Sequence, residues 1–287
     1  MAKGSQYRRF TRSRGGNIIY FSVLILMGLF TVFPLFYCIL TSLKPLSELL
    51  IFPPKFYVTR PTLRNFTALP ALLSNLQVPI SRYLFNSVFI SVVSTLLSII
   101  AGSLAAFTLS KSMVKGKSAI FTLIQMMMLY NTVTLGVPQY LIFSKMHLID
   151  TYWVYILPAI PSTVNCFLMK QFMDASINDA LLEAARIDGA GVITMYWKVV
   201  MPIMKPALMT VLLFSFQAMW STGSLGTIFS EELKTLPTVM ASVATAGIAR
   251  SGSAMATTVL LMIPPILVFL FTQSNVLETM GNSGIKG

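Results

Sequence analysis

Long runs without charged residues set the strongest limit on how this chain folds. A hydrocarbon core of about 30 Å is crossed by about 20 apolar helical residues. Six runs free of Asp, Glu, Lys, Arg and His meet or approach that length, at residues 15–43, 83–110, 118–144, 151–169, 206–230 and 251–277. Only 10% of the residues are charged, against about 25% in soluble domains. The sequence therefore predicts an all-α polytopic membrane protein.

The polar segments between the runs divide the chain into membrane-spanning and water-facing parts. We predict a basic tail at 1–16, spanning helices at 17–43, 83–110, 118–144, 151–169, 206–230 and 251–277, connections at 44–82, 170–205 and 231–250, and a short tail at 278–287. Segment 235–249 is uncharged but short for a crossing, so we expect a re-entrant or surface helix there.

Six crossings place both termini on one side. That side carries 13 of the 21 Lys and Arg residues, which predicts cytoplasmic termini.

The charged segment 170–205 predicts a short exposed helix. Asn178 or Asp179 is suited to cap a helix that runs through Leu181 to about Asp188, because both side chains accept hydrogen bonds from free backbone N–H groups. Gly189 is expected to end this helix, since glycine adopts the left-handed conformation without strain.

The spacing of residues within this segment is specific. Glu183-Ala184-Ala185 is followed after three residues by Gly189, and after nine more by Val199, Met201 and Pro202. This pattern resembles the cytoplasmic coupling loop of bacterial ABC importer permeases, where the membrane subunit meets a separate ATPase. Val199 and Met201 stand where that family usually has Ile and Leu.

The resemblance extends over essentially the whole chain and narrows to the maltose-type sugar permeases, in particular the shorter partner of each pair. Two departures are Trp220-Ser221, where the family often has Trp-Asn, and His147, where it often has Gly. The stretches that carry the resemblance are, in order, Thr41-Ser42-Leu43-Lys44, Asn86-Ser87, Ala105-Ala106-Phe107, Asp150-Thr151-Tyr152, Leu157-Pro158, Phe167-Leu168, Gln171-Phe172, Leu236-Pro237 and the tail from Gly281 to Gly287.

The resemblance implies the type I ABC importer permease fold with its core at 83–277, in the bacterial cytoplasmic membrane. It also implies that an extracytoplasmic binding protein delivers an oligosaccharide for import into the cytoplasm. The implied partners are a second related permease chain, two ATPase subunits, this binding protein and the lipid bilayer. ATP and Mg²⁺ would bind to the ATPase subunits, so no cofactor is expected on this chain. The residues expected to contact the ATPases are Glu183, Ala184, Ala185, Asp188, Gly189 and Pro202, with Gly284 and Lys286 in the tail.

Polar side chains inside the apolar runs are candidates for the transport path, because sugars pair well with amides and aromatic faces. The candidates are Gln125, Asn131, Gln139, Asn165, Gln217 and Trp220. The alternative for each is a hydrogen bond between helices, which contributes about 0.6 kcal/mol in a membrane. The sequence leaves both interpretations open.

Chemical activity on the chain itself is not expected. Gly116-Lys117-Ser118 looks like the end of a phosphate-binding loop, but Lys111 occupies the position of the required first glycine and no strand precedes it. His147 has no carboxylate or cysteine cluster that would make it part of a metal site. The net charge of +12 is attributed to helix orientation and not to nucleic-acid binding.

Two alternative functions remain open from the sequence. The same scaffold could carry a peptide or another non-sugar solute. An ion-coupled secondary transporter is a more distant alternative, because such proteins normally need an ionisable residue inside the membrane and the six runs contain none.

Overall fold

The computed structural model describes residues 14–73, 78–112, 114–130, 132–223, 226–244 and 250–283, and within these ranges it is helical without strands. The helices are α1 Arg14–Ser42, α2 Leu46–Leu49, α3 Arg64–Thr67, α4 Leu69–Leu73, α5 Ile80–Lys111, α6 Lys117–Met127, α7 Gly136–Lys145, α8 Trp153–Ala159, α9 Thr163–Ser176, α10 Asp179–Ile187, α11 Val192–Thr194, α12 Met201–Ile203, α13 Lys205–Trp220, α14 Leu236–Ala244 and α15 Ser251–Ser283. Short 3₁₀ turns cover Thr132–Leu135 and Glu231–Leu233, and a π-helical turn covers Met195–Val200.

The apolar runs differ in whether they form one continuous helix. Within the described ranges, three helical segments are long and apolar enough to cross a membrane alone: Gly15–Ser42, Ile80–Lys111 and Ser251–Val276. A fourth span is possible by length if Val192–Ile203 and Lys205–Trp220, which meet at 80°, are counted together. Helix length alone does not decide the number of crossings, because one crossing can consist of two helices joined at a break.

Proline and glycine positions explain where the other runs break. Run 118–144 is divided between α6 and α7, and Pro138 lies in the first turn of α7, where its missing N–H is not needed. Run 151–169 is divided between α8 and α9. Pro161 lies between them and has no N–H with which to continue the helix, and Ser162, which is extended, caps α9 by accepting from the Asn165 N–H. Run 206–230 is helical only as far as Trp220.

Several predicted boundaries also move. Helix α5 begins three residues before the predicted start at 83, and α15 continues through Ser283, beyond the predicted end at 277. The segment predicted as a re-entrant or surface helix contains α14. Its nine residues span only about 14 Å, which is too short to cross a bilayer.

Helix α5 is the central support, because α8, α9, α13 and α14 all pack against it. Small buried residues allow this close approach: a Cβ atom added to Gly102 would lie 3.1 Å from the Cβ of Asn165 on α9. The buried Asn165 amide donates to the hydroxyls of Ser98 on α5 and Ser215 on α13, each at 2.8 Å. One side chain thus joins three helices.

The Asn86 end of α5 holds the connection that precedes α14. The buried Asn86 amide donates to the carbonyl oxygens of Glu232 at 2.7 Å and Lys234 at 3.0 Å. The Ser87 hydroxyl accepts from the Leu236 N–H at 2.7 Å, and the Tyr152 hydroxyl donates to Asn86 Oδ1 at 2.7 Å. The Asn86-Ser87 pair therefore fixes the segment 232–236 and the start of α8 to the same helix end.

Asp150 provides a second attachment for this connection. Its carboxylate accepts from the Ser230 hydroxyl and from the backbone N–H groups of Ser230 at 2.9 Å and Phe229 at 3.0 Å. The hydrogen bond from the Ser230 hydroxyl is the main reason that the pKa of Asp150 lies below its ordinary value. The turn before α8 and the segment after α13 are therefore joined at one carboxylate.

The ends of α1 and α15 meet at Asn65. Its amide donates to the carbonyl oxygens of Ser42 at 2.7 Å and Lys44 at 2.8 Å. A Cβ atom added to Gly252, near the start of α15, would lie 2.7–2.8 Å from the atoms of this amide. Gly252 is therefore required so that α15 can approach Asn65 without displacing it.

We predict that Gly252→Ala lowers the free energy of unfolding by about 1–3 kcal/mol, the usual cost of forcing extra volume into a packed site. The added methyl group would push the Asn65 amide away from its two carbonyl acceptors. Thermal unfolding of the purified protein in mild detergent measures the effect. Gly28→Ala is the matched control, because nothing lies within 4 Å of a Cβ added there. Equal stability of the two variants would contradict the packing account.

Candidate coupling surface and transport path

Helix α10 begins with a side-chain cap. Asn178 Oδ1 accepts from the Ala180 N–H at 3.1 Å, and Asp179 lies in the first turn. A carboxylate at this position interacts favourably with the positive end of the helix dipole. Of the two capping residues considered from the sequence, the structure uses Asn178.

The other end of α10 is closed by a Schellman motif. Gly189 has a φ of +82°, and its N–H donates to the Arg186 carbonyl at 3.0 Å. The Ala190 N–H donates to the Ala185 carbonyl at 2.9 Å, which completes the pair of hydrogen bonds that define the motif. The helix ends where the sequence predicted, and α10 is a short element with both ends defined.

Lys111, the last residue of α5, ties α10 to the helix bundle. Its ammonium donates to the Ile177 carbonyl at 2.7 Å and to Asp179 Oδ1 at 2.8 Å, and only 8% of its side chain is exposed. The hydrogen bond and the charge of Lys111 lower the pKa of Asp179 below its ordinary value. Next to Lys111, the Ser110 hydroxyl donates to Asp174 on α9. The end of α5 therefore contacts both sides of the link between α9 and α10.

The apolar side chain of Leu182 packs α10 against the helix bundle. Leu182 is buried in a cluster with Ile177, Met173 and Ala106 on three different segments. The chain after α10 is anchored separately. Tyr196 forms a hydroxyl–hydroxyl hydrogen bond of 2.7 Å with Ser103 on α5. The charged segment is therefore fixed to α5 at two places, at Leu182 and at Tyr196.

The rest of α10 faces outward. Glu183, Ala184 and Asp188 are exposed, Ala185 is half-buried, and Ile187 is 86% exposed. Leu181 on α10 and Val192 and Ile193 on α11 add further exposed apolar side chains. Pro202, also exposed, lies on α12 beside the 80° bend. Several exposed apolar residues around small ones are typical of a protein-binding surface, and we name Leu181–Ile193 the coupling surface.

Two of the transport-path candidates join helices. Trp220 is 4% exposed, stacks on Phe216, and donates its indole N–H to the Leu261 carbonyl on α15 at 3.0 Å. Asn165 bonds to α5 and α13 as described, and it also borders a cavity of about 310 Å³. Both side chains therefore have the interhelical role that the sequence left open.

The other candidates are distributed over different surfaces. Gln125 and Gln217 are exposed on α6 and α13. Gln139 is half-buried and lines a cavity of about 640 Å³ between α7, α8 and the end of α13, together with Tyr140 and Tyr155. Asn131, Gly284 and Lys286 lie outside the described residues. The five path candidates among the described residues therefore lie on different surfaces and do not line one common cavity.

The sequence interpretation missed Lys111 and Tyr140. The sequence alone assigns no contact to Lys111, but this residue binds the start of α10. Its position directly after an apolar run, with Asp179 in the next charged segment, was the available signal. Tyr140 directly follows Gln139 and lines the same cavity.

We predict that Gly189→Ala opens the end of α10, because a left-handed conformation costs a residue with a Cβ about 1–2 kcal/mol. Amide hydrogen exchange of Gly189 and Ala190, followed by mass spectrometry, should become faster. Gly191→Ala is the matched control, since Gly191 has a φ of −69° and also has nothing within 4 Å of an added Cβ. Unchanged exchange in Gly189→Ala would contradict the Schellman assignment.

We also predict that Lys111→Met frees α10 from α5. The bond to the Ile177 carbonyl is charge-assisted and contributes about 1.5–3 kcal/mol, so exchange of the α10 amides should rise by about tenfold or more. The ion pair with Asp179 persists above the ordinary aspartate pKa of about 3.9 and is lost only as the pH falls through the lowered folded-state pKa. Lys115→Met, in the neighbouring turn, is the control, and equal exchange in both variants would contradict the tether.

The comparisons with known proteins cover most of the chain. Residues 98–280 match the family described as the binding-protein-dependent transport system inner membrane component. The arabinooligosaccharides transport system permease protein AraQ of Bacillus subtilis is 28% identical over 265 residues, which is 92% of this chain and 93% of AraQ. The sulfoquinovosyl glycerol transport system permease protein SmoH of Agrobacterium fabrum is 32% identical over 219 residues, 75% of this chain and 74% of SmoH.

A solved structure supports the fold independently. The crystal structure of a bacterial ABC transporter involved in the import of the acidic polysaccharide alginate contains a chain that superposes with a TM-score of 0.76 at 21% identity. The superposition covers 92% of this chain and 98% of that one. With the family match over residues 98–280, this makes the chain an all-helical, multi-pass protein of the cytoplasmic membrane. It belongs to the family of binding-protein-dependent transport system inner membrane components, as an ABC importer permease of the type I fold.

Proposed function

We propose that this chain is one of two permease subunits of an ATP-driven importer that moves an oligosaccharide into the cytoplasm. The observation that carries the proposal is the family match together with a coupling surface whose spacing fits that family. The relatives AraQ and SmoH are named for transport of sugar-containing solutes, which supports a carbohydrate cargo over a peptide. An extracytoplasmic binding protein would deliver this cargo.

The proposed mechanism uses α10 as the contact with an ATPase subunit. The capped ends of α10 and its tether to Lys111 suit it to move as one body. Glu183, Ala184, Ala185, Asp188 and Gly189 would face a cleft on the ATPase, with Pro202 at the bend that leads into α13. Closure of two ATPase subunits on ATP would push α10 and, through Lys111, the end of α5.

Helix α5 then offers a direct route through the membrane. Lys111 at one end holds α10, and Asn86 near the other end holds the segment before α14. The 25 residue steps from Asn86 to Lys111 correspond to about 38 Å of helix. A displacement at the coupling surface would therefore reach the opposite membrane face through one continuous element. This is a physical connection of the kind that coupling between distant sites requires.

The cavity bordered by Gln139 is the candidate for this subunit's share of the cargo path. Its volume of about 640 Å³ lies within the range of about 300–1,000 Å³ that is usual for ligand sites. Among the described residues, those that line it are uncharged and include Tyr140, Tyr155 and Phe143. Aromatic faces and an amide are suited to a sugar ring. Asn131 and Gln217 remain part of the proposed path, as does Gln125.

Energy conversion is assigned to other chains in this proposal. ATP and Mg²⁺ would bind to two ATPase subunits, and this chain would carry no catalytic residue and no cofactor. Gly284 and Lys286 in the short tail would contact the ATPases, and with six crossings both termini would then lie in the cytoplasm. The second permease chain would complete the path.

The proposal is tested by uptake of labelled oligosaccharide in cells that carry Glu183→Ala or Gly189→Pro. We expect uptake to fall to background and ATPase association to weaken, while the amount of this chain in the membrane stays unchanged on immunoblots. Gly191→Ala serves as the control in the same segment. Normal uptake with both Glu183→Ala and Gly189→Pro would refute the role of α10.

A further inference from the structure

The loop between α1 and α3 forms a closed, ordered unit. The Thr62 N–H donates to the Leu43 carbonyl at 2.8 Å, which brings the two ends of the loop together at the end of α1. Between these positions lie α2 and the segment Leu50–Tyr57, which we call the loop tip. The tip therefore projects from a base that is fixed to α1.

Polar residues inside the loop hold the tip in place. The Lys44 side chain, buried at the base, donates to the Lys55 carbonyl in the tip. The Glu48 carboxylate accepts from the backbone N–H groups of Thr59 at 3.1 Å and Arg60 at 2.9 Å. Since its backbone is held from two sides, the conformation of the tip is defined by the fold.

The tip folds back along α1 toward the membrane. The Phe56 ring lies 6.0 Å from the Phe33 ring and 6.3 Å from the Tyr37 ring, measured between centroids. Phe33 precedes the end of α1 at Ser42 by nine residues, or about 14 Å along the helix. A polar loop that extended into water would not reach this far back along a spanning helix.

The length of α1 fixes the depth of this contact. Its 29 residues extend about 44 Å, close to the 40–45 Å of a bilayer with its headgroup regions. If Ser42 lies at the outer edge of the headgroups, Tyr37 lies about 8 Å below that edge, near the boundary of the hydrocarbon core, and Phe33 about 14 Å below it. The Phe56 ring, which is about equally far from both rings, then lies at or just inside this boundary. The tip thus occupies the zone where amphipathic aromatic side chains are most stable.

The side chains of the tip match this zone. Phe52 is 92% exposed, and Leu50, Ile51, Phe56 and Tyr57 are also exposed. The Lys55 ammonium lies 5.8 Å from the centre of the Tyr57 ring. Apolar and aromatic residues with a basic group among them favour the interface, where the ammonium reaches lipid phosphates.

We propose that the loop tip, residues 50–57, inserts into the lipid headgroup region beside α1 and anchors that helix at a fixed depth. The occupant is a lipid surface because the tip combines exposed aromatic and aliphatic side chains with one ammonium group and lies beside a helix long enough to span the membrane. The proposal holds for whichever membrane face the Ser42 end of α1 reaches. It does not depend on the cargo or on the ATPase contact.

A spin label at position 52 tests the proposal. Phe52→Cys would be made with Cys38→Ala and Cys166→Ala, and the protein would be purified with the subunits that accompany it and reconstituted in phosphatidylethanolamine–phosphatidylglycerol vesicles. Collision rates of the label with oxygen and with a water-soluble nickel chelate report its depth. Phe30→Cys, at a residue of α1 that is 78% exposed, is the lipid control. Lys115→Cys, at an exposed residue in the turn between α5 and α6, is the water control.

The expected result is an oxygen-to-nickel ratio at position 52 that lies between those at positions 30 and 115 and is clearly above that at position 115. A ratio like that of position 115 would show that the tip is in water and would overturn the proposal. Low collision rates with both reagents would show that a protein covers the tip, either the second permease chain or a binding protein, and would also overturn it. Leu50→Cys repeats the measurement if Phe52→Cys does not fold.

Discussion

The close packing of α5 against α9 and α13 is the interaction on which the rest of the structure depends. It is possible because Gly102 leaves room for Asn165, whose amide then bonds to Ser98 and Ser215. In a membrane, apolar burial gives little driving force between helices, so small residues and interhelical hydrogen bonds determine where helices meet. Once α5 is fixed in this way, one of its ends becomes the attachment point for α10 and the other for the segment before α14.

The two ends of α5 use the same physical device. At one end the Lys111 ammonium binds the Ile177 carbonyl before α10, and at the other the Asn86 amide binds the Glu232 and Lys234 carbonyls before α14. In both cases a buried side chain from the helix satisfies backbone groups of a segment that has no regular partner there. Segments outside the bilayer are thereby made rigid without a large apolar core. The loop tip beside α1 follows the same pattern through Lys44 and Asn65.

The sequence predicts the elements that local chemistry determines. The absence of charge over about 20 residues identifies apolar segments whatever their partners are. The end of α10 is likewise local, because Gly189 alone supplies the left-handed residue. The coupling spacing from Glu183 to Pro202 was recognisable for the same reason, and the family match over residues 98–280 agrees with that assignment.

Features that depend on distant residues could not be predicted in this way. An uncharged run shows that a segment suits the bilayer but not that it is one helix, so the breaks at Pro161 and after Met127 were not foreseen. Trp220 was a path candidate by residue type, yet its role follows from the Leu261 carbonyl 41 positions away. The function of Lys111 likewise depends on Asp179, which only the fold brings within 2.8 Å.

The central claim is that α10 docks on an ATPase carried by another chain. A photo-crosslinking amino acid at position 183, activated in native membranes and followed by mild-detergent purification and mass spectrometry, tests it most directly. The account predicts a covalent adduct with an ATP-binding subunit, a related permease among the co-purified proteins, and no ATPase adduct from the same probe at position 30 within the spanning helix α1. Recovery of this chain alone or only with copies of itself, with no ATPase adduct from position 183, would contradict it.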